Sequence, residues 1–514
     1  MSRPNFLIIC TDQMRADHIG CAGNAAIRTP NLDALAAGGT HVPRAYVNCP
    51  LCMPSRATLY TGLTPRGHRV RTNGIPLDRA IPTLPAALAA AGYKTASIGK
   101  IHLTNYSLSP DAPAELRTPQ HFPEVMEFWE SGAIREIPTP YFGLQCVDIT
   151  LGHGPHTHGN YALWLREKHP EQWKRLQNWK REPSPLGAES CGAMPIDESV
   201  HHSAYVADRT IEYLEQQRGE PFFLLSSFPD PHHPYYTPRP WDRMYSPEDV
   251  APPAMRDGEL ENLAPFFKQV YEQRMLLSGR ANPTKMSLAQ RREILAYTYG
   301  MVSLADKHIG LILDALAANG LAENTVVLFM SDHGDMMGDH GLLNKGPFHF
   351  EGLLRVPMIW RWPGHFKSQS THALASILDI PPTILDLAGV AIPEGPAPAT
   401  PEAPQQPPAW PGRSLAPVLT GKAPAVQDSV VIENDEDYLG LRLRTLVTPT
   451  HKLTTYTGHR GAEEYGELFD LSRDPNEFEN LWSVNRALRR ELIEQLHYRL
   501  AETDIAVPRR LSHA

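Results

Sequence analysis

Five short apolar segments alternate with helical patterns along this chain, and this alternation limits the available folds more than any other feature. The segments are NFLIIC (5–10), KTASIG (94–99), PFFLLSSF (221–228), TVVLFMS (325–331) and VPMIWRW (356–362). Apolar runs of this length, bounded by turn residues, are typical of buried parallel strands. The chain is therefore predicted to be an α/β protein with a large, mostly parallel or mixed central sheet flanked by helices.

Polar residues stand directly after four of these segments. They are Asp12, Lys100, His102, His232, Asp332 and His333. The carboxyl ends of strands in an open parallel sheet face the ligand crevice, so residues distant in sequence meet at one edge. The pattern predicts a single functional site at these strand ends. Lys100 and His102, two positions apart in a segment interpreted as extended, are expected on the same side.

A proline-rich segment divides the chain. Residues 393–412 include the segment PEGPAPATPEAPQQPPAWP (393–411), which cannot hold a helix or a central strand, and they are predicted to be an exposed connector. Residues 1–392 are predicted to form the large domain that carries the site. Residues 413–514 have strand-like runs and a helical pattern around NRALRRELIEQLHYRL, which predicts a smaller C-terminal α+β subdomain with a tail.

Composition and charge argue against several functional classes. The formal charge of −9 over 514 residues comes without a long run of lysine or arginine, so no nucleic-acid partner is expected. Because no apolar window approaches the roughly 20 residues of a membrane span, no membrane association is expected. The start, MSRPNFLIICTDQ, lacks the long apolar region of a secretory signal, which favours a cytoplasmic location. Six cysteines without such a signal do not indicate a disulfide framework.

Two of those cysteines, Cys49 and Cys52, stand in NCPLCMPSRATLYTG (48–62), where the C-x-x-C spacing has several interpretations. A zinc site would need a second cysteine or histidine pair at comparable spacing, and the remaining cysteines do not supply one. A redox pair and two ordinary buried thiols both stay open on the spacing alone. The residues that follow Cys52 add a proline, a serine and an arginine, and then a Thr-Gly pair.

The stretch from Cys52 to Gly62 resembles the sulfatase signature C-x-P-S-R-x-x-x-x-T-G. Further segments resemble the same family over nearly the whole chain. They are TPNLDALAAGGTHVPRAY (29–46), GKIHL (99–103), SDHGDMMGDHGLLNKG (331–346) and ELFDLSRDPNEFENL (467–481). The chain is thus similar to the type I, formylglycine-dependent sulfatases, close to bacterial arylsulfatases and phosphonate monoester hydrolases. The resemblance implies the alkaline phosphatase-like fold.

The resemblance implies that Cys52 is oxidised after translation to formylglycine by a sulfatase-maturing enzyme, which is the expected partner protein. The hydrated aldehyde would offer two hydroxyls on one carbon. One would attack sulfur to give a sulfated-enzyme intermediate, and the other would then expel sulfate. The implied function is hydrolysis of sulfate monoesters, aryl or small alkyl, as small-molecule substrates. Cys49 is then an ordinary thiol.

One divalent metal ion is also implied, which would acidify the attacking hydroxyl and hold sulfate oxygens. Its implied ligands are Asp12, formylglycine at Cys52, Asp332 and His333. Gln13 stands where many sulfatases have a second aspartate, and His333 stands where many have asparagine. An amide and an imidazole in place of hard oxygen ligands favour Mn²⁺, with Ca²⁺ as the alternative.

Further residues are predicted to belong to the catalytic site, all but Asn73 because they match family positions. They are Arg56, Asn73, Lys100, His102, His232 and Lys345. Arg56, one helical turn beyond Cys52, would hold the diol and offset charge near the metal. Lys100 would contact the sulfate and the diol, and His102 would take the proton of the second hydroxyl. His232 and Lys345 would bind the ester oxygens, with one of them protonating the leaving group.

Two positions carry less defined expectations. His233 is the adjacent alternative to His232 in the segment DPHHP. Asn73, in RTNGIP, is a candidate polar contact.

Two alternatives to sulfate hydrolysis stay open. The nearest is a phosphonate monoester or phosphodiester hydrolase that uses the same site. The pair Lys100 and His102 favours the sulfatase, whereas Asp332 and His333 are shared with the phosphonate hydrolase relatives. The other alternative is an inactive or binding paralogue on the same fold. Retention of the cysteine, arginine, aspartate and both lysines argues against it.

The segment LGHGPHTHGNYALWL (151–165) concentrates His153, His156 and His158 and has three open interpretations: structural packing, a wall of the substrate pocket, and metal binding. Residues 103–220 match no motif and are expected to hold the determinants of substrate specificity. The charged tail, LAETDIAVPRRLSHA, could pack on a neighbouring subunit, and a homo-oligomer, dimer or tetramer, is expected.

Overall fold

The computed structural model describes residues 3–217, 219–272, 286–393, 410–436, 440–458 and 465–503. Most of the predicted connector at 393–412, and the tail beyond residue 503, lie outside these residues. Within the described ranges, no helix is both long enough and apolar enough to cross a bilayer.

Strands occur in every part of the chain. In chain order they are β1 (Asn5–Thr11), β2 (Thr40–His41), β3 (Ala45–Tyr46), β4 (Lys94–Gly99), β5 (Cys146–His153), β6 (His156–Gly159), β7 (Cys191–Met194), β8 (Phe222–Ser227), β9 (Tyr235–Pro238), β10 (Thr325–Ser331), β11 (Arg355–Val356), β12 (Met358–Arg361), β13 (Gln369–Ser370), β14 (Ala375–Ser376), β15 (Val430–Glu436), β16 (Leu441–Val447), β17 (His451–Thr457) and β18 (Gly466–Asp470).

A nine-stranded sheet forms the centre of the large domain, in the order β13-β2-β12-β10-β1-β8-β4-β5-β6. The run from β10 to β5 is parallel, whereas β12 pairs antiparallel with β10 and β6 antiparallel with β5. The predicted mixed, mostly parallel sheet is therefore confirmed. Four of the five predicted segments are its parallel strands β1, β4, β8 and β10, and the fifth contains the antiparallel β12.

Helices fill the connections between these strands. In chain order they are α1 (Pro30–Ala37), α2 (Cys52–Thr61), α3 (Pro65–His68), α4 (Leu84–Ala90), α5 (Met126–Glu130), α6 (Asn160–Lys168), α7 (Pro170–Gln177), α8 (His202–Gln216), α9 (Pro265–Tyr271), α10 (Leu288–Ala318), α11 (Glu351–Leu354), α12 (Ile380–Ala388), α13 (Ala416–Leu419) and α14 (Arg486–Thr503).

Helices cover both faces of the central sheet, as the apolar strand β1 requires. Phe6 and Ile8 pack in one core cluster with residues of α2, α4 and α12. Leu7 and Ile9, which point to the opposite face, pack in a second cluster with residues of α1, α8 and α10. Successive side chains of a strand alternate between the faces, so a continuously apolar strand is stable only when both faces are buried.

The C-terminal subdomain is an antiparallel sheet, β15-β16-β17-β18, with α14 on its outer face. Leu492 and Leu496 of α14 pack against Leu446, Leu453 and Leu468 of the sheet. The other face of the sheet contributes to the core clusters of the large domain. The predicted smaller α+β subdomain is thus confirmed as a sheet that packs directly on the large domain.

A buried cation joins this sheet to the large domain. Lys452 of β17 has no exposed surface, and its ammonium group forms an ion pair with Glu477 and donates to the carbonyl of His349. Glu477 in turn accepts a hydrogen bond from the Glu351 backbone N–H at 2.8 Å. Removing one partner of a buried ion pair leaves an uncompensated charge, which costs far more than the loss of an exposed pair.

Replacing Lys452 by methionine should lower the free energy of unfolding by about 3–5 kcal/mol, because Glu477 would keep a buried charge without its partner. Lys94→Met is the matched control, since Lys94 forms an exposed ion pair with Glu220 at 3.6 Å. That change should cost at most about 1 kcal/mol. Denaturant unfolding of the two variants measures the difference, and equal effects would contradict the buried-pair argument.

Candidate active site

The parallel strands of the central sheet end at one level. Their register pairs Thr11 with Ser331 and Gly99 with Ser227. The next residues along the chain are Asp12, Lys100 and Asp332. Gly99 has φ of +98°, and a Cβ atom there would lie 1.9 Å from the Ser227 carbonyl oxygen. Glycine therefore allows the chain to turn out of the sheet at this point, which brings Lys100 to the site edge.

Cys52 is the first residue of α2 and is 1% exposed. Leu51, the residue before it, forms no side-chain cap, and the Met53 backbone N–H donates instead to Asn73 Oδ1 at 3.0 Å. The free backbone N–H groups of a helix N-terminus stabilise negative charge. Asn73 therefore lies beside the start of α2, where it fixes the turn that carries the thiol.

Four side chains converge around the thiol. The ligand atoms of Asp12, Cys52, Asp332 and His333 all lie within 4.8 Å of one another. Cys52 Sγ is 3.2 Å from His333 Nε2 and 3.8 Å from Asp12 Oδ1. His333 Nδ1 donates to the Gly334 carbonyl at 2.8 Å, so its Nε2 lone pair is left for the cluster. Two carboxylates and an imidazole nitrogen are ligands that suit a divalent transition metal ion.

Gln13 borders the same cluster. Its backbone N–H donates to Asp332 Oδ1 at 3.1 Å, and its side-chain Nε2 donates to Asp335 Oδ2 at 2.5 Å and lies 3.0 Å from His233 Nδ1. Its Oε1 atom is buried and has no hydrogen-bond partner among the described residues. A buried acceptor without a donor is costly, and it fits a site that receives a cation.

Arg56, in the second turn of α2, donates hydrogen bonds to residues at the ends of three strands. Its Nε donates to Asp332 Oδ2 at 2.7 Å, and its Nη1 donates to the Lys100 carbonyl and to Ser227 Oγ, each at 2.9 Å. The side chain is 2% exposed. Because the guanidinium group has fixed donor directions, these contacts hold the carboxylate, the lysine backbone and β8 in one arrangement.

Lys100 is fully buried and forms an ion pair with Asp12. Burial alone would raise the pKa of Asp12, but Lys100 together with His232 and His153 outweighs burial and holds that pKa well below its ordinary value. The carboxylate is therefore ionised across the physiological pH range. It is an anionic ligand directly beside the thiol.

Lys345 faces the thiol from the other side. Its Nζ lies 2.7 Å from Cys52 Sγ, 3.1 Å from His232 Nε2 and 3.0 Å from His333 Nε2. Burial would lower the pKa of Lys345, but Cys52 and Asp12 raise it above its ordinary value. Burial and the neighbouring His153 instead lower the pKa of His232 well below its ordinary value. The ammonium therefore carries the proton, and His232 accepts a hydrogen bond from it.

The segment that carries His232 is held by hydrogen bonds to the first residues of α8 and to the residue after β1. Asp230 accepts hydrogen bonds from His202 Nε2 at 2.8 Å and from Ser203 Oγ at 2.5 Å. Its carbonyl also accepts from the Asp12 backbone N–H at 3.1 Å. All of these residues are buried. The segment is therefore fixed relative to the strand end of β1.

The charges at the site favour an anion. Arg56, Lys100 and Lys345 supply three cations, against the carboxylates of Asp12 and Asp332. A bound divalent cation would add further positive charge. The cations outnumber the carboxylates, and this surplus of positive charge attracts ligands of the opposite sign, so the site suits a small anionic group.

The thiol of Cys52 is acidic for a buried cysteine. Burial and the charge of Asp12 would raise its pKa, but Lys100, Lys345 and His333 together lower it to about 7. Burial instead raises the pKa of Cys10, in the neighbouring strand, to about 12. Cys49 is buried, and burial raises its pKa above the ordinary value as well. Cys52 is therefore the more acidic thiol, whereas burial keeps Cys10 and Cys49 protonated.

His102 departs from the expected extended segment. It has φ of +60°, so the prediction that the segment is extended at this residue was wrong. Its backbone N–H donates to Glu124 Oε2 at 2.8 Å, and its ring stacks on Tyr106 with centroids 3.8 Å apart. Tertiary contacts, rather than strand geometry, place its ring. The charge of Lys100 still helps to lower the pKa of His102, after burial.

His153 lies inside the site, which the sequence left open. Its Nε2 is 2.7 Å from Lys100 Nζ and 3.4 Å from Asp12 Oδ2. Its ring stacks on His232 with centroids 3.5 Å apart and planes at 9°. Burial and the charge of Lys100 lower the pKa of His153 to about 3. Its position at the end of β5 would have indicated the site, but the sequence pattern does not predict this strand.

Comparisons with known proteins find similarity over nearly the whole chain. A family model described as Sulfatase matches residues 4–390, and one described as N-sulphoglucosamine sulphohydrolase, C-terminal, matches residues 338–506. An arylsulfatase of Clostridium perfringens is 31% identical over 506 residues, covering 96% of this chain and 93% of that protein. The multifunctional alkaline phosphatase superfamily protein PehA of Trinickia caryophylli is 26% identical, covering 98% of this chain and 96% of that protein.

Solved structures share the fold. A phosphonate monoester hydrolase of Agrobacterium radiobacter superimposes with a TM-score of 0.77 at 27% identity, covering 98% of this chain and 96% of that one. A 2-O GAG sulfatase superimposes with a TM-score of 0.67 at 24% identity, covering 98% of this chain and 93% of that one.

In protein that retains the Cys52 thiol and is kept free of metal by a chelator, the thiol should titrate near pH 7. The thiolate should form above this pH and be lost below it. Its ultraviolet absorbance, taken as the difference from Cys52→Ser, measures the midpoint. Lys345→Met should move the midpoint upward because one stabilising cation is lost. Cys49→Ser should leave it unchanged, and a midpoint at the ordinary 9.0 would contradict the electrostatic account.

Proposed function

The chain belongs to the sulfatase family, and we propose that it hydrolyses sulfate monoesters, aryl or small alkyl, with formylglycine derived from Cys52 as the nucleophile. The route would pass through a sulfated-enzyme intermediate, which splits one difficult displacement into two steps. The observation that supports this most directly is the setting of Cys52. The signature residue lies at a helix N-terminus, with Lys345 Nζ 2.7 Å from its sulfur and a buried guanidinium one turn away.

A divalent metal ion belongs to the same proposal, and the residues present fit it. Asp12, Asp332, His333 and the residue formed from Cys52 would hold it. When bound, it would lower the pKa of the nucleophilic hydroxyl and neutralise charge on the ester. The imidazole of His333 and the amide of Gln13 favour Mn²⁺, with Ca²⁺ as the alternative.

The contacts of several remaining residues support the roles that we propose for them. Arg56 holds Asp332 in place and adds positive charge beneath the nucleophile. Lys100 supplies a buried ammonium for the transferred anion. Lys345 carries the proton that the leaving oxygen requires, and His232 accepts a hydrogen bond from it. Asn73 holds the start of α2, and by resemblance to the family His102 would take the proton of the second hydroxyl.

A phosphonate monoester or phosphodiester hydrolase is the second candidate function. The pair Asp332 and His333, and the similarity to the Agrobacterium radiobacter phosphonate monoester hydrolase, both favour it. The buried ammonium of Lys100 beside Asp12, together with His102, favours the sulfatase. The two reactions place similar anions in the same site, so activity toward both ester classes is consistent with the geometry.

The proposal includes a partner, because conversion of Cys52 to formylglycine requires a maturing enzyme. The cytoplasmic location and the homo-oligomeric assembly stay predictions from the sequence.

Aryl sulfate, aryl phosphonate monoester and phosphate diester substrates with one common leaving group test the assignment. We expect the highest kcat/KM for the sulfate. Lys100→Met should lower that value by about 10²- to 10³-fold, as for the loss of one charge-stabilising donor. Lys94→Met, near the start of the same strand, is the control and should leave activity unchanged.

Mass spectrometry of the peptide spanning residues 45–66 must accompany the kinetics. Conversion of Cys52 lowers the peptide mass by about 18 Da. A clearly higher kcat/KM for the phosphorus esters, in fully converted enzyme, would replace the sulfatase assignment by the second candidate.

Metal analysis of enzyme purified without added metal should find Mn²⁺ rather than Ca²⁺. His333→Asn replaces the imidazole by an amide oxygen and should shift the preference toward Ca²⁺. The loss of Mn²⁺ affinity should reach at least the roughly 10- to 100-fold typical of losing an outer-shell partner. His121→Asn, at an exposed position, is the control. Retention of Mn²⁺ preference by His333→Asn would contradict this ligand assignment.

A further inference from the structure

The hairpin of β5 and β6 overhangs the site. β5 pairs in parallel with β4 only from Cys146 to Ile149, where β4 ends. It then continues by four residues and pairs with β6, down to the pair His153 with His156. A strand that continues beyond the end of its neighbour at the carboxyl edge of a sheet extends over the ligand crevice. The end of this hairpin therefore contributes side chains to the site from above the sheet.

The tip of the hairpin rests on the segment that follows His232. Gly154 has φ of +51°, and a Cβ atom there would lie 3.2 Å from the Pro234 carbonyl oxygen. Thr157 Oγ1 donates to the Gly154 carbonyl at 2.6 Å, which closes the turn. The close approach fixes the hairpin against the neighbouring segment. The residue just before the tip is His153.

The three histidines of this hairpin have different surroundings. His156 Nε2 lies 2.5 Å from Arg181 Nη2, and His158 Nδ1 lies 3.4 Å from Glu130 Oε1, both on partly exposed surface. His153 alone among them contacts residues of the proposed active site. Simple packing would not require an imidazole here, because its contacts are an ammonium, a carboxylate and a second imidazole.

The chemistry of the contact between Lys100 and His153 fixes the roles of both groups. An ammonium has only donors, so His153 Nε2 accepts the hydrogen bond from Lys100 Nζ, and the ring proton lies on Nδ1. A lysine side chain has many rotamers, and a second acceptor beside the ion-paired Asp12 restricts where the charge of Lys100 lies. The parallel ring contact, at 3.5 Å, restricts the orientation of His232 in the same way.

We propose that His153 is a positioning residue that sets two functional groups at once. Through Nε2 it holds the ammonium of Lys100 for the transferred anion, and through its ring face it holds His232 beside Lys345. This inference rests on the proposed function, since it assigns the two contacts to anion binding and to leaving-group assistance. The two contacts can be removed separately.

Two substitutions separate them. His153→Gln keeps an acceptor near the position of Nε2 but removes the aromatic face. His153→Phe keeps the aromatic face but removes the acceptor. His158→Gln is the matched control in the same hairpin, because its contact with Glu130 lies outside the proposed active site.

His153→Phe should weaken the binding of inorganic sulfate by about tenfold or more, from the loss of a hydrogen bond to a charged group. Its kcat/KM should fall by a similar factor for every sulfate ester, whatever the leaving group. His153→Gln should bind inorganic sulfate as the parent does. Its kcat/KM should fall most for esters whose leaving group is weakly acidic. The kcat/KM of this variant should therefore depend more steeply on the pKa of the leaving group than that of the parent.

Sulfate binding is measured by titration calorimetry and the leaving-group dependence by a series of substituted aryl sulfates, with melting temperatures as the check on folding. Equal behaviour of both variants and the parent would overturn the proposal. Equal losses in both variants, with lowered melting temperatures, would overturn it in favour of a structural role. If the enzyme contains formylglycine but hydrolyses no sulfate ester, the proposed function is wrong. Weaker sulfate binding by His153→Phe would in that case still support the positioning role.

Discussion

The parallel, in-register pairing of β1 with β8 and β10 is the constraint on which the site depends. Thr11 is level with Ser331, and Cys10 is level with Ser227, so the chain leaves the sheet at one edge from each strand. A shift of one residue would turn every side chain to the opposite face. Both faces of β1 are packed by helices, and this packing fixes the register that brings Asp12 beside the residues after β10.

The second requirement is a balanced set of buried charges. Taking Arg56, Lys100 and two carboxylates out of water is costly unless their hydrogen bonds are satisfied. Asp332 meets this condition, because one oxygen accepts from Arg56 and the other accepts from the backbone N–H groups of Gln13 and His333. A carboxylate satisfied in this way holds its partners in one arrangement. The rigidity that the chemistry needs therefore comes from the same contacts that make the burial tolerable.

The C-terminal subdomain supports the site from the side, although it supplies none of the clustered ligands. Asn434 of β15 donates to the Gly346 carbonyl at 3.2 Å, next to Lys345. The Glu433 backbone N–H donates to the Asn48 carbonyl at 2.8 Å, just before the segment that leads into α2. One strand thus steadies the two segments that carry the cysteine and its neighbouring ammonium. The apolar face of the same sheet, buried against the large domain, holds this strand in place.

The sequence by itself determined the strand alternation, the strand-end residues and the helical spacing within residues 52–62, because these depend on local periodicity and on a motif of fixed spacing. Only the tertiary structure decided the rest. His102 has a left-handed backbone conformation, and Asn73 lies at the start of α2. His153 reaches the site from a hairpin that no apolar pattern in the sequence predicts. These positions result from contacts between segments far apart in the chain, and such contacts leave no signal in the local sequence.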